Sequence, residues 1–428
     1  MGRSVRVRKD YIEKVKLAVQ RQGFPRQKDL AETLGFSLAT VSNFLNGKPV
    51  DWLNFSEISE KLGFDWQDIQ DISNQEISLN TNGDGNGSGV ITPDEDDNFI
   101  YIDRPPIEEI CDKTLSQPGG LLRIKAPGWM GKTSLMARIL GKMAHQGYRT
   151  VLVDMHYAET DNFSNLEKFL KWFCVSVSQS LHMDNRIADY WDDQFSTPKM
   201  NCTAYFEEYL LAKSSAPLIL CLDTVERIFP HEKVAGEFLG LLRAWHEQAK
   251  TRPLWKQLRL VIAHSTEVYV PLRVNESPFN VGVPIELPEF TPEQVLLLAK
   301  QYGLERDLQQ IQPLIDKVGG HPYLVGEAFK NLQLNPTITL EQLLQTSVTD
   351  RGIYGNLLRH YWRLIEQDSE LAAVLKTIVK SPSPVRVSPT QAHNLYRMGL
   401  VKSVGNEVII GCEVYREYFS DRFDFLDQ

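Results

Sequence analysis

The feature that most constrains this 428-residue chain is a loop of mostly small residues between an apolar run at 121–124 and a helical pattern at 134–146. Such a loop can wrap consecutive backbone N–H groups around a polyphosphate, with its lysine on the terminal phosphates and its hydroxyl on Mg²⁺. The residues expected to bind nucleotide here are Ala126, Pro127, Gly128, Trp129, Met130, Gly131, Lys132, Thr133 and Ser134. Ala126 stands where the motif usually has glycine. The alternative is a glycine-rich turn with a chance Lys-Thr pair.

A second nucleotide element comes later, where the apolar run 217–222 ends in Asp223. A carboxylate at this point can hold Mg²⁺, so Thr133 and Asp223 are the expected metal-binding residues. The next residue is commonly an acid that polarises water, but here it is Thr224. Glu226 is the nearest candidate catalytic residue, although Arg227 beside it offers an ion pair instead. Nucleotide binding is therefore better supported than hydrolysis, and a slow ATPase is the most that we expect.

A third apolar run, 260–263, leads into His264 and Ser265. We expect Ser265 to contact the nucleotide, in the position of a γ-phosphate sensor. His264 is either part of that sensor or a histidine of the core.

The region 99–288 alternates apolar runs with helical patterns, which predicts an α/β fold with a central parallel sheet covered on both faces. The expected strands are 121–124, 150–153, 218–222, 260–263 and 282–287. Sheets of this kind bind ligands at the carboxyl ends of their strands, where the phosphate loop begins.

The N-terminal region is basic although the whole chain has a net charge of −9, since residues 1–48 carry ten Lys and Arg against four acids. Its helical patterns at 11–21, 27–35 and 38–47 resemble the helix-turn-helix of lambda-repressor-like and Lac-repressor-like DNA-binding domains, with further helices at 52–62 and 66–72. The resemblance implies that the second helix of the motif reads bases. The implied DNA-binding residues are Gln27, Lys28, Leu38, Ala39, Thr40, Ser42, Asn43 and Lys48. The alternative is a helical module that binds protein.

Composition sets the domain boundaries and excludes several classes of protein. Residues 73–98 are rich in Asn, Gly, Ser and Asp, which predicts a disordered linker after a helix-turn-helix domain at 1–72. The chain has no apolar stretch long enough to span a bilayer and no apolar core of a secretion signal. Its five cysteines and nine histidines lack zinc-ligand spacing. We expect a cytoplasmic protein with reduced cysteines and no membrane partner.

Three segments make the rest of the chain similar to the AAA-like domain of the STAND signalling ATPases and to cyanobacterial AAA-like proteins. They are 99–109, 286–291 and the Gly319-Gly320-His321-Pro322 element. The resemblance implies a nucleotide domain at 99–288, a helical lid at 289–369 and bound ATP or ADP with Mg²⁺. It also implies that Tyr101, Arg104, His321 and Pro322 lie against the nucleotide.

Residues 370–428 are expected to form a winged helix, with helices at 371–379 and 389–398 and a hairpin at 401–410. From residue 372 onward the sequence has seven Lys and Arg and six Asp and Glu. This near-neutral charge suits duplex binding poorly. The STAND resemblance implies that this domain folds back on the nucleotide domain and is released when ATP replaces ADP.

The leading hypothesis is an ATP-binding switch that binds DNA through its N-terminal domain, a transcriptional or DNA-associated regulator. Its nucleotide state would control homo-oligomerisation, and a partner protein would supply the input. One alternative is a DNA-remodelling or loader ATPase of the AAA+ group. The other is a signalling or defence scaffold whose N-terminal domain binds protein.

Overall fold

The computed structural model of the chain describes residues 4–22, 24, 26–64, 69, 100–192, 194–265 and 277–426. The chain forms two compact units: the first contains residues 1–76 and 289–428, and the second contains residues 77–288. The linker expected at 73–98, and all but one residue of the helix expected at 66–72, lie outside the described residues.

The N-terminal segment of the first unit is a small helical module. It contains two strands of two residues each, β1 (Ser4–Val5) and β2 (Val50–Asp51), which pair antiparallel. The helices are α1 (Ile12–Arg21), α2 (Gln27–Leu34), α3 (Leu38–Leu45) and α4 (Trp52–Lys61). They enclose one core of aliphatic and aromatic side chains in which Phe44 and Phe55 lie 5.1 Å apart between ring centroids.

The ends of α2 and α3 follow from local chemistry. Gly35 ends α2 with a φ of 71°, a left-handed conformation that glycine adopts without a Cβ clash. Ser37 begins α3, because its side-chain oxygen accepts a hydrogen bond from the N–H of Thr40 at 3.0 Å. Helices are therefore present where the patterns 27–35 and 38–47 predict them.

The second unit contains a five-stranded parallel sheet. The strands are β3 (Leu121–Lys125), β4 (Arg149–Asp154), β5 (Leu218–Asp223), β6 (Leu258–His264) and β7 (Val283–Glu286). Their order across the sheet is β4-β5-β6-β3-β7, and every neighbouring pair is parallel. All five lie where the sequence predicts them, which confirms the α/β class.

Helices cover both faces of this sheet, as the continuous apolar strands require. One core contains side chains of α5 (Ile107–Ser116) and α6 (Lys132–His145). The other contains side chains of α7 (Leu166–Ser180), α9 (Pro198–Ala204) and α10 (Glu232–Gln248), while the short α8 (Ile187–Tyr190) packs at its edge. Four of the five cysteines are buried free thiols and Cys412 is half-buried.

The remainder of the first unit is mostly helical. Its helices are α11 (Pro292–Gln301), α12 (Leu308–Val318), α13 (Pro322–Leu334), α14 (Leu340–Thr346), α15 (Gly355–Glu366), α16 (Ser369–Lys380), α17 (Pro389–Arg397) and α18 (Glu413–Leu426). A hairpin, β8 (Val401–Val404) and β9 (Glu407–Ile410), turns at Gly405 and pairs antiparallel, with Val401 opposite Ile410. No helix in the described part of the chain combines the length and apolarity needed to cross a membrane.

Candidate functional site

The small-residue loop joins the carboxyl end of β3 to the first turn of α6. Gly131 precedes α6 with a φ of 91°, and no side chain caps the helix there. Trp129 also has a positive φ, 65°, which is strained for a bulky side chain and shows that the surrounding loop fixes its backbone. The first N–H groups of a helix have no partner within the helix, so this end of α6 offers donors and a partial positive charge to an anion.

Lys132, the first residue of α6, folds back over the loop. Its ammonium donates hydrogen bonds to the carbonyl oxygens of Ala126 and Pro127, both at 2.8 Å. Burial lowers the pKa of Lys132, while the negative charges of Glu226 and Asp223 act in the opposite direction. The two carbonyl oxygens carry no net charge. A phosphate at the loop would give this poorly solvated ammonium an anionic partner and a stronger, charge-assisted hydrogen bond.

Thr133 and Asp223 meet as the sequence predicts, although 90 positions separate them. The Thr133 hydroxyl donates to a carboxylate oxygen of Asp223 at 2.8 Å, and the N–H of Thr224 donates to the other oxygen at 2.8 Å. Burial, followed by the charge of Asp154, raises the pKa of Asp223 to about 6. A hydroxyl beside a carboxylate is a set of hard oxygen ligands, and a buried carboxylate of raised pKa is one that a cation would stabilise. These residues fit Mg²⁺.

Asp154 is a residue of this site that the sequence analysis missed. It ends β4 and is the register partner of Asp223 across the parallel pair of strands. One of its carboxylate oxygens accepts the backbone N–H of His156 and contacts the His156 Nδ1, both at 2.9 Å. The sequence does show that Asp154 follows an apolar run, and the carboxyl ends of neighbouring parallel strands lie at one edge of the sheet. Placing Asp154 beside Asp223 also requires the strand order, which the sequence does not give.

Glu226 lies just beyond Asp223, in a short helical turn that begins after Thr224. The Ser265 hydroxyl donates to one of its carboxylate oxygens, and the other oxygen is buried without a hydrogen-bond partner in the described part of the chain. Glu226, the predicted catalytic residue, and Ser265, a predicted nucleotide contact, are therefore hydrogen-bonded to each other. His264 is buried, and its ring lies 4.9 Å from that of Phe279 in an edge-to-face arrangement, which supports a role in the core.

Tyr101 and Arg104 share a partner in α5. The Tyr101 hydroxyl and the Arg104 N–H both donate to the Glu108 carboxylate, at 2.7 and 2.9 Å, and burial raises the pKa of Tyr101. The buried Arg104 guanidinium also donates to the carbonyl oxygens of Met130 at 3.0 Å and Pro288 at 3.3 Å. Arg104 thus holds the backbone of the phosphate loop at Met130, a contact that the sequence did not predict.

Arg104 also explains why a glycine precedes Lys132. A Cβ on Gly131 would lie 3.0 Å from a guanidinium nitrogen of Arg104, so both the positive φ and the close contact favour glycine at this position.

His321 and Pro322 belong to the first unit, where His321 precedes α13 and Pro322 is its first residue. The His321 Nδ1 accepts the N–H of Leu324 at 3.5 Å, and the buried Nε2 has no hydrogen-bond partner in the described residues. Burial and the nearby charge of Lys402 lower the pKa of His321 to about 4, so the ring is neutral at pH 7. Lys402 itself is paired with Glu289 at 2.7 Å.

The expected DNA-reading face is open to solvent over part of α3. Leu38 is 51 % exposed and Ala39 is exposed, while Thr40, Ser42 and Asn43 are half-buried. The expected DNA-binding residues Gln27, Lys28 and Lys48 are exposed. The Lys28 ammonium forms an ion pair with the Glu32 carboxylate at 3.6 Å. Both groups are exposed to solvent, so the ammonium stays accessible.

The chain is similar to proteins of known structure. A Walker-type ATPase of Pyrococcus abyssi is similar over 74 % of this chain and 96 % of its own length, at 13 % identity and a TM-score of 0.56, which shows a shared fold. The ORC2 protein of Aeropyrum pernix, solved as ADPNP-ADP complexes, matches at 14 % identity over 77 % of this chain and 96 % of its own, with a TM-score of 0.47.

A STAND protein of Pyrococcus horikoshii with a tetratricopeptide repeat sensor matches at 15 % identity over 76 % of this chain and 43 % of its own, with a TM-score of 0.33. A search of the curated proteins returned no match. The family model described as AAA-like domain matches residues 91–421, which is more than half of the sequence. The chain, with its phosphate loop, parallel sheet and helical C-terminal part, belongs to the AAA-like domain family.

Proposed function

We propose that this protein is an ATP-binding molecular switch of the STAND kind that binds DNA through its N-terminal helices. The observation that carries the nucleotide half is the Thr133 hydroxyl hydrogen-bonded to the buried Asp223 carboxylate beside the uncapped start of α6. The fold shared with a Walker-type ATPase supports it. Thr133 and Asp223 would hold Mg²⁺, which when bound neutralises charge on the phosphates.

Further residues would contact the nucleotide beside Thr133 and Asp223. In the second unit the loop residues 126–134 and Ser265 would contact the phosphates, with Tyr101 and Arg104 near the base. We also propose His321 and Pro322 as nucleotide contacts, since the buried Nε2 of His321 has no hydrogen-bond partner in the described residues. A switch requires that ATP and ADP differ in affinity for two states of the protein.

The test is a calorimetric titration of the full chain with ATP and with ADP, each with and without Mg²⁺, paired with mass photometry in the same solutions. We expect saturable binding of both nucleotides and a change of oligomer mass between the ADP form and a non-hydrolysable ATP form. Absence of binding in all four titrations would refute the proposal.

DNA binding is the second half of the proposal. The N-terminal segment has two short helices joined by a tight turn at Gly35, an exposed start of α3 and exposed cations beside it. We propose that α3 enters the major groove and that Gln27, Lys28 and Lys48 contact phosphates. Residues 370–426, two helices followed by a hairpin and a long helix, would form the winged helix as a regulatory domain.

Alanine at Thr40, Asn43 and Lys48 together should abolish specific duplex binding. Each base contact contributes about 1–3 kcal/mol, and each lost phosphate contact lowers the salt slope by about one. Fluorescence anisotropy with the best site from a duplex selection, at several salt concentrations, measures both. The control is Lys300→Ala, a charge loss on exposed surface of α11. If the triple variant binds as wild type does, the N-terminal segment serves a protein partner instead, as the scaffold hypothesis holds.

Glu226 discriminates the switch from an AAA+ remodelling enzyme, a second candidate that the placement of this carboxylate favours. Its unpartnered oxygen is a candidate acceptor for a proton from water. In the switch, Glu226→Gln should leave nucleotide affinity within about threefold, because the charge acts on Lys132 and Asp223 without direct contact, and basal turnover should be slow in both proteins. Turnover is measured as phosphate release with and without duplex DNA. DNA-stimulated hydrolysis that disappears in the variant would favour the enzyme.

A further inference from the structure

Helices α4 and α15 of the first unit carry matching polar stripes. On α4 the stripe is Asn54, Glu57 and Glu60, and on α15 it is Asn356, Arg359 and Arg363. Spacings of three and four residues place such side chains on one face of a helix. Nothing in the nucleotide or DNA proposals requires this pattern.

The two stripes meet residue by residue, and we call this contact the seam. Asn356 donates to Asn54, and Arg359 contacts the Glu57 carboxylate at 3.4 Å. Arg363 reaches both acids, Glu57 at 3.2 Å and Glu60 at 3.1 Å. Glu57 is 9 % exposed, so its charge depends on these arginines rather than on water.

The seam has a neighbouring contact at the turn of the N-terminal segment. The side chain of Arg351 lies beside Gly35, where an added Cβ would be 3.6 Å from its Cγ. The segment therefore contacts residues 351–363 through α4 and the turn before α3, while Leu38 and Ala39 at the start of α3 stay exposed. The docked position leaves the proposed reading face accessible.

The seam is also connected to the C-terminal helix. Arg359 donates to the backbone carbonyl of Asp350. The carboxylate of Asp350 in turn accepts hydrogen bonds from the Tyr418 hydroxyl at 3.2 Å and from Arg422, both on α18. A chain of polar contacts thus runs from α18 through Asp350 and Arg359 to Glu57.

We propose that the seam is an internal docking site that holds the N-terminal segment against α15, and that α18 controls it through Asp350. Docking sets the direction in which α3 faces, and loss of the α18 contacts frees Arg359 and loosens the segment. The seam stands independently of nucleotide and DNA binding, since all of its residues lie elsewhere. It gives the C-terminal region a physical connection to the N-terminal helices.

The test is disulfide cross-linking of Asn54→Cys with Asn356→Cys in the full chain, without nucleotide or DNA. The native cysteines are buried or half-buried and should compete little. The control pair is Asn54→Cys with Arg397→Cys, on the exposed surface of α17. We expect fast cross-linking of the first pair alone, measured as band shift on a non-reducing gel. Equal rates for the two pairs would overturn the docking site.

Charge variants in the cross-linking background test the mechanism. Glu57→Lys should slow cross-linking about tenfold or more, as expected for a desolvated ion pair that becomes repulsive. Arg363→Glu, at a side chain that is 44 % exposed, is the second variant in case Glu57→Lys fails to fold. Exchange of all four charges, Glu57→Lys and Glu60→Lys with Arg359→Glu and Arg363→Glu, should restore the rate. Failure of both single variants to slow it would overturn the role of the charges.

Arg422→Gln tests the control by α18. It removes a charged partner of Asp350 and leaves the seam residues intact, so slower cross-linking supports the connection and an unchanged rate overturns it. If duplex binding is absent while the cross-link forms and responds to charge, the DNA proposal falls and the seam stands.

Discussion

Lys132→Ala should abolish Mg²⁺-ATP binding, with a loss of affinity of at least about 30-fold. The ammonium is buried over the phosphate loop and has two carbonyl oxygens as partners, so a bound phosphate would gain a charge-assisted contact in a poorly solvated place. Alanine removes that contact and leaves the phosphate oxygens without a cation. Isothermal calorimetry with ATP and with ADP gives the change directly.

The fold should survive this change, because burial already lowers the pKa of Lys132 and thereby shows that the charge is costly to hold in the free protein. A melting temperature at or above that of the wild type is therefore the accompanying expectation. Lys113→Ala, an exposed lysine on α5, is the control and should bind normally. Retention of full affinity in the Lys132 variant would show that the loop is a structural turn.

Asp223→Asn should stabilise the nucleotide-free protein and weaken its response to Mg²⁺. The pKa of Asp223 is raised to about 6 from 3.8, chiefly by burial and then by the charge of Asp154. A raised carboxyl pKa means that the fold prefers the protonated form, so stability falls as pH rises from about 4 to 6 and stays lower above that range. The charged form of Asp223 is therefore unfavourable in the folded, nucleotide-free protein at pH 7.

Asparagine carries no charge to bury, and its amide oxygen can accept the N–H of Thr224 while its NH2 group donates to the hydroxyl oxygen of Thr133. The variant should melt about 5 °C higher than wild type at pH 7 without nucleotide, with a much smaller difference at pH 4. Mg²⁺ should then tighten ADP binding in the wild type and have little effect in the variant. Scanning calorimetry at both pH values and titration with and without Mg²⁺ provide the measurements. A variant that melts lower at pH 7 would contradict the stability argument, and one that keeps the Mg²⁺ dependence would contradict the metal role of Asp223.

The strands and the phosphate loop were predictable because their signals are local. Each strand of the second unit is a short apolar run with polar residues or glycine at its ends, and the loop is a contiguous motif. The pairing of Thr133 with Asp223 was predictable as well, since both motifs mark carboxyl ends of strands in one parallel sheet.

Other parts of the site depend on contacts that no local pattern reports. Asp154 acts on Asp223 only because β4 and β5 are neighbours, and strand order is a property of the whole fold. The contact of Arg104 with Met130 joins residues 26 positions apart without any shared motif. The seam is the extreme case, because 302 positions separate Glu57 from Arg359 and each helix alone has an ordinary charged face.

The first unit is assembled from the two ends of the sequence, and this sets an order of events during synthesis. Glu60 leaves the ribosome roughly 300 residues before Arg363, which takes about 15–60 s at about 5–20 residues per second. During that interval the whole second unit, residues 77–288, is made and can fold around its own cores. The acidic stripe of α4 therefore spends its first seconds in water, and its charged groups keep that surface hydrated until α15 is made.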